Sequence, residues 1–266
     1  MGETPHKTEH PFHLVDPSPW PLLTSLATLM LGLGAVLYIH NYGSIVFWIG
    51  VLFLLFCMGG WWKDVLYEAM VEKKHTKVVQ MGLRYGMLLF IVSEIMFFAA
   101  FFGSFFTASI FPPESIGGIW PPKNILPLDP FELPYLNTLI LLLSATSLTW
   151  AHEAIRSPAH YAAVNKGLWI TVILGLLFTC IQVFEYIHAP FSLKDGIYGS
   201  NFYMLTGFHG AHVIIGTIFL SVCLARSLKK HFTPTHHIGF EAAAWYWHFV
   251  DVVWLFLFVF IHWWGS

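Results

Sequence analysis

Seven long apolar stretches alternate with polar segments along the 266 residues of this chain. An α-helix rises 1.5 Å per residue, so about 17 to 25 apolar residues are needed to cross the hydrocarbon of a bilayer. Each stretch is therefore predicted to be a transmembrane helix, and the chain is predicted to be an all-α membrane protein. The stretches cover residues 21–39, 45–61, 85–111, 135–150, 168–187, 202–224 and 242–264.

The composition supports this class. Apolar residues make up 56% of the chain and charged residues only 11%, which is too few charges to solvate a globule of this size. A net charge of −2 offers no basic surface for nucleic acid. No linker is long enough to separate a soluble domain, so we expect residues 1–266 to form a single membrane domain.

The basic residues predict the orientation in the membrane. With the N-terminus inside, eleven lysines and arginines lie on the inner side, and only Lys123 and Lys194 lie outside. Inner loops of membrane proteins are enriched in such residues. We therefore expect the N-terminus on the inner side of the membrane and the C-terminus outside. The eleven are Lys7, Lys63, Lys73, Lys74, Lys77, Arg84, Arg156, Lys166, Arg226, Lys229 and Lys230.

The lengths of the polar segments predict how the helices are grouped. Only residues 40–44 separate the first two stretches, which favours a tight helix hairpin, whereas about twenty polar residues precede the third. We expect a two-helix unit (residues 1–66), an inner connection (67–84) and a five-helix unit (85–266), with a cleft between the two units. Small residues predict close helix contacts; they are Gly32, Gly34, Gly207, Gly210, Ala211 and Gly216.

Acidic residues within apolar stretches are candidates for function, because a charge there is costly, and Glu94 and Asp251 are singled out. Glu94 is surrounded by apolar helical neighbours, so it is either a protonatable group that relays protons or tunes a hydrophobic path, or a carboxyl hydrogen-bonded to a neighbouring helix. The sequence leaves both open. For Asp251 we expect a structural contact with a histidine or tryptophan, since His248 lies one turn before it.

Histidine spacing raises the possibility of a metal site. His209 and His212 are three residues apart on one helix and His248 lies on the next, so three imidazoles are available for a haem iron or a copper. Fifteen histidines make such a pair common by chance, and we expect interhelical hydrogen bonding instead. Cys57, Cys180 and Cys223 form no C-x-x-C pair and are expected to be packing residues.

A cluster near the inner ends of the second and sixth stretches has the composition of a lipid headgroup site. Tryptophans prefer the headgroup level and cations there pair with phosphate, although an ordinary aromatic belt with extended cations has the same composition. The candidate lipid-binding residues are Trp61, Trp62, Lys63, Glu68, His75 and Arg226.

Five segments together carry a family resemblance. They are HPFHLVDPSPWP (residues 10–21), WWKDV (61–65), GLRYGM (82–87), TGFHGAHVIIG (206–216) and GFEAAAWYWHFVDVVW (239–254). Together with Ser93 and Glu94, they strongly resemble the family of cytochrome c oxidase subunit III. The resemblance runs from end to end of the chain and involves long tryptophan-rich segments, which are far more specific than a short motif.

The resemblance implies seven helices, grouped two and five around a V-shaped lipid cleft, in a non-catalytic core subunit of a proton-pumping terminal oxidase. The membrane it implies is a bacterial plasma membrane or a mitochondrial inner membrane, with the N-terminus on the cytoplasmic or matrix side. It implies no haem or copper in this chain; these belong to subunits I and II, and cytochrome c is the electron donor. It further implies direct packing on subunit I, structural phospholipids, a role for Glu94 near the path of oxygen, and lipid contacts at Trp61, Trp62, Glu68, His75 and Arg226.

A further hypothesis follows from the implied support of proton uptake. His6, His10 and His13 titrate near neutrality, so we expect them to collect protons at the inner surface. The alternatives are the equivalent subunit of a quinol oxidase, an independent membrane haem protein and a proton carrier. A carrier is disfavoured because the chain shows neither inverted repeats nor broken helices.

Overall fold

A computed structural model describes residues 10–123, 125–157 and 161–266. Its regular elements are α1 (Trp20–Ile39), α2 (Ile45–Met70), α3 (Lys77–Ile110), α4 (Leu133–Ala154), α5 (Tyr161–His188), α6 (Gly196–Leu228) and α7 (Ile238–Leu257). A π-helical turn, Phe258–Trp263, continues α7, and a short 3-10 helix, Glu114–Ile116, follows α3. All seven long helices have the length and composition to cross a membrane, which confirms the predicted fold class.

The helices extend beyond the apolar stretches that predicted them. Helix α2 runs nine residues past Trp61 to Met70, and α3 begins at Lys77 instead of Tyr85. The predicted polar connection of about twenty residues is therefore mostly helical, and only residues 71–76 separate the two helices. Hydropathy marks where a helix leaves the hydrocarbon, whereas backbone hydrogen bonding continues into the polar region.

The chain divides into two compact units, residues 1–83 and 84–266, with the boundary inside α3. In the first unit, α1 and α2 pack as the predicted hairpin. A Cβ added to Gly34 on α1 would collide with the backbone of Phe47, and one added to Gly50 on α2 would lie 2.7 Å from the backbone nitrogen of Leu31. These two glycines therefore allow close backbone contact. Gly32, also predicted to do so, meets nothing within 4 Å.

The second unit has its core among α4 to α7, with two fully buried tryptophans of α7 at its centre. The indole N–H of Trp247 donates to Ser144 Oγ over 2.9 Å, and that of Trp254 donates to Thr138 Oγ1 over 2.9 Å. Both acceptors lie on α4. Buried polar groups in a membrane protein must be satisfied internally, so these bonds fix how α7 rotates against α4.

Candidate functional site

Glu94 of α3 forms a hydrogen bond with a histidine of α6. Its Oε2 lies 2.8 Å from Nε2 of His212, whose Nδ1 lies 2.6 Å from the carbonyl oxygen of Phe208. A carbonyl only accepts, so Nδ1 must donate to it. A neutral His212 then accepts through Nε2 and Glu94 supplies the proton; if the proton moves to Nε2, an ion pair forms. In both states the pair holds one shared proton and has no net charge.

Aromatic rings surround this pair. The ring centroid of His212 lies 5.0 Å from that of Phe98, 6.2 Å from that of Phe97 and 6.3 Å from that of Tyr246. The Glu94 side chain is 22% exposed and that of His212 is 11% exposed. Such surroundings disfavour a net charge, which agrees with a proton-sharing pair. Of the two sequence interpretations of Glu94, the helix-to-helix hydrogen bond is present, and the proton or oxygen path stays a prediction.

The histidines of the metal hypothesis have three different partners. His209 donates from Nε2 to the carbonyl oxygen of Val250 over 3.1 Å, His212 faces Glu94, and Nε2 of His248 lies 3.5 Å from Thr149 Oγ1. Within the described parts of the chain, they do not form a group of converging ligand atoms. Interhelical hydrogen bonding, as expected from the sequence, is their observed arrangement.

Asp251 departs from its expected contact. It is buried on α7, and its Oδ1 has no hydrogen-bond partner. The predicted bond to a histidine or tryptophan does not occur among the described residues, because His248 is directed toward Thr149 on α4.

Two other clusters bring ligand-type side chains together. In the first unit, Nδ1 of His13 lies 3.9 Å from Oε2 of Glu68, and one ligand atom of His75 lies within 4.8 Å of both residues. Burial, reinforced by the neighbouring His13, lowers the pKa of His75. The sequence assigned Glu68 and His75 to lipid and His13 to proton collection, and it gave no sign that the three residues meet.

In the second unit, His152, His237 and Glu241 form a similar group. Here the carboxylate already has a cationic partner: Arg84 donates from Nε to Oε2 over 2.8 Å and from Nη2 to Oε1 over 3.3 Å. His237 Nε2 also lies 3.3 Å from Glu241 Oε1. This bidentate pairing joins α3 to α7 and neutralises the carboxylate.

The remaining predicted site residues differ in exposure. On α2, Trp61 is 39% exposed, Trp62 is 61% exposed and Lys63 is also exposed. Arg226, at the end of α6, is half-buried with its guanidinium carbon 4.5 Å from the ring centroid of Phe232, and its Nε has no partner. His10 is half-buried, and His6 lies outside the described residues.

The sequence analysis missed a buried polar cluster in the second unit. Gln182 donates to Glu185 Oε1 over 3.0 Å, and His262 Nε2 lies 3.8 Å from the same oxygen. Asn137 lies beside Gln182. The rule that singled out Glu94, a carboxylate inside an apolar stretch, also applies to Glu185. No sequence signal identifies His262, which the π-helical turn brings into the cluster.

Comparison with known proteins gives a match along nearly the whole chain. A family model described as cytochrome c oxidase subunit III matches residues 10–266. Cytochrome c oxidase subunit 3 of Marchantia polymorpha is 59% identical over 260 residues, which are 97% of this chain and 98% of that protein. The proteins of the same name from Prototheca wickerhamii and Rattus norvegicus are 58% and 54% identical, with 97% and 98% of this chain and 99% of each relative covered. These matches confirm the family resemblance that the sequence motifs indicated.

Proposed function

Because the chain belongs to the family of cytochrome c oxidase subunit III, it is a membrane-spanning subunit of an oxidase complex, and we propose that its role there is non-catalytic. Oxygen is reduced to water in partner chains: subunit I holds the haems and one copper, and subunit II holds the dinuclear copper that accepts electrons from cytochrome c. This chain packs directly on subunit I, stabilises it and supports its proton uptake.

One observation carries this proposal. Imidazole is the side chain best suited to bind haem iron or copper in a membrane. The intramembrane imidazoles of His209, His212 and His248 are instead directed to Val250, Glu94 and Thr149. Their nitrogens hold helices together, so the contribution of this chain to the complex is structural and protonic.

The Glu94–His212 pair is the proposed protonic element. Its proton moves between the carboxylate and the imidazole without changing the net charge of the pair. A nearby charge therefore shifts the position of this proton without placing a new net charge in the apolar surroundings, which keeps the desolvation cost small. Glu94 thereby tunes the region through which oxygen reaches subunit I. At the inner surface, His6, His10 and His13 collect protons for uptake.

Phospholipid is the proposed resident ligand, and Glu68 and His75 of the first unit are among its predicted contacts. Trp61 and Trp62 are exposed at the level where α2 leaves the apolar stretch, and Lys63 follows them, as expected for headgroup contact. Arg226, at the end of α6, is half-buried, and a guanidinium group is well suited to pair with phosphate. The acyl chains concentrate oxygen, which is itself apolar.

The test is oxygen consumption by the purified oxidase over many turnovers, with and without this chain, in the same lipid at controlled pH. A non-catalytic role predicts a normal initial rate followed by early inactivation when the chain is absent. Adding the chain back to the depleted enzyme should restore the lifetime. Immediate loss of all activity, together with loss of a haem or copper from the depleted complex, would overturn the proposal.

A further inference from the structure

Two ionisable side chains of the second unit are buried near the C-terminal ends of their helices. Glu185 of α5 and His262 of the π-helical turn are each 2% exposed, and the side chains of Gln182 and Asn137 beside them are buried as well. Glu185 and His262 both lie in helices that are long and apolar enough to span a membrane. A net charge is costly in such surroundings, so the protonation states of the two groups depend on each other.

The π-helical turn determines which nitrogen of His262 faces Glu185. The backbone N–H of Trp264 donates to the carbonyl oxygen of Val259 over 2.9 Å, and Nδ1 of His262 lies 3.3 Å from the carbonyl oxygen of Leu257. A carbonyl only accepts, so Nδ1 donates and Nε2 of a neutral ring is an acceptor. This Nε2 lies 3.8 Å from Glu185 Oε1. The distance is too long for a direct hydrogen bond, but one water molecule can bridge it.

The cluster contains more acceptors than donors. Gln182 donates from Nε2 to Glu185 Oε1 over 3.0 Å, and Asn137 donates from Nδ2 to Gln182 Oε1 over 3.4 Å. Within the described residues, Asn137 Oδ1, Glu185 Oε2 and His262 Nε2 are buried without a partner. With an ionised Glu185 and a neutral His262, all of these atoms are acceptors. One water molecule supplies two hydrogens to such a group, and a proton on the cluster supplies the remaining one.

We propose that Asn137, Glu185 and His262 bind one ordered water molecule, and that Glu185 holds a proton in this site. The O–H of Glu185 donates to the water oxygen, and the water donates to His262 Nε2 and to Asn137 Oδ1. Buried waters typically make about three hydrogen bonds of this kind. The water site ties α4 and α5 to the π-helical turn. It concerns the interior of this chain alone, so it does not depend on the proposed function.

The position of the proton follows from the separation of the two groups. A proton on His262 would leave opposite charges without a direct hydrogen bond in apolar surroundings, which costs more desolvation than a neutral pair. No lysine or arginine side chain is bonded to Glu185 among the described residues. The phenols of Tyr186 and Tyr203 are also close to Glu185, and the imidazole of His209 is close to His262. No fixed cation is therefore placed to hold Glu185 in its ionised form.

The first experiment locates the water. Cryo-electron microscopy of the wild-type oxidase complex, at a resolution that shows ordered water, should reveal one density within hydrogen-bond distance of Glu185, His262 and Asn137. A map without density between these side chains would overturn the proposal. So would a map in which Glu185 and His262 are in direct contact.

Infrared difference spectroscopy locates the proton. The spectrum of the wild-type complex minus that of Glu185→Gln should contain the C=O stretch of a protonated carboxyl group. Loss of a carboxylate band in the variant would place the proton on His262 and would contradict the assignment to Glu185.

Thermal release of the chain from the purified complex separates the water site from simple packing. Glu185→Gln should keep the midpoint, because its amide N–H donates to the water in place of the O–H. Glu185→Leu and His262→Phe should each lower the midpoint by about 2–4 °C, since buried polar groups lose their partners. His188→Phe is the matched control: its imidazole is also bonded to a carbonyl oxygen but is exposed, so the midpoint should not change. Equal losses for Glu185→Gln and Glu185→Leu would show that the site needs a carboxylate, and the proposal would be wrong.

Discussion

Glu94 and His212 share one proton between two helices, so the chemistry of a substitution at Glu94 decides which property of the pair is lost. The side chain of glutamine has nearly the same shape and an amide N–H that can donate to His212 Nε2, but it has no ionisable proton to transfer. Alanine leaves Nε2 of His212 without its partner. The two variants therefore separate the hydrogen bond from the proton.

Glu94→Ala should destabilise the complex, because an unpartnered buried nitrogen costs about 1–3 kcal/mol in soluble proteins and roughly 0.6 kcal/mol or more in membrane helices. Glu94→Gln should keep the thermal midpoint but shorten the enzyme lifetime and lower the proton yield during turnover. Glu114→Gln, which changes an exposed carboxylate outside the membrane-spanning helices, is the matched control. If Glu94→Gln matches the wild type in turnover, proton yield and lifetime, the pair is only structural.

The sequence predicts the surroundings of a residue well only where its contacts are made by residues nearby in the chain. Apolar neighbours along one helix were enough to identify Glu94, but its partner, His212, lies 118 residues away. The sequence predicted interhelical hydrogen bonding for His212 without identifying the residue that it meets. The same limit applies to His13, Glu68 and His75, whose meeting depends on the path of the chain before α1. Residue type and helical period carry no information on such long-range contacts.

The helices show what hydropathy can and cannot locate. It predicted seven helices and the five-residue turn between α1 and α2, because apolar length and a short polar gap determine both. It placed the end of α2 at Trp61 and the start of α3 at Tyr85, whereas α2 continues to Met70 and α3 begins at Lys77. A helix can continue beyond its apolar residues, so hydropathy does not locate these ends. Glycine content alone also did not separate contact positions from exposed ones: Gly34 and Gly216 face neighbouring helices, whereas Gly32, Gly207 and Gly210 meet nothing within 4 Å.

The two glycines of α1 provide a matched pair for testing this contact. Gly34→Ala forces a Cβ into the backbone of Phe47, so it should separate α1 from α2 and cost about 1–3 kcal/mol through overpacking. Gly32→Ala meets no atom within 4 Å and should be neutral or stabilising by up to about 1 kcal/mol through helix propensity. The thermal midpoint for release of the chain from the purified oxidase measures both. Equal effects of the two substitutions would contradict the close packing at Gly34.

At the scale of the whole molecule, the orientation depends on a sum of charges and on no single contact. Most of the basic residues lie at helix ends or in the connections, including Lys63 near the polar end of α2 and Lys229 and Lys230 after α6. Loops with such residues stay on the inner side during insertion. Seven membrane crossings predict that the two termini lie on opposite sides.

Cysteine labelling tests this orientation in intact bacterial cells or in mitochondria stripped of the outer membrane. Ser266→Cys and Lys123→Cys should react with a membrane-impermeant maleimide before lysis, because the C-terminus and the loop after α3 are predicted to lie outside. Lys229→Cys should react only after lysis, since the loop between α6 and α7 is predicted to lie inside. The native Cys57 and Cys223 are buried and Cys180 is exposed on α5, so the unsubstituted chain gives the background. Early labelling of Lys229→Cys with protection of Ser266→Cys would reverse the orientation, and it would place His10 and His13 on the side opposite to proton uptake.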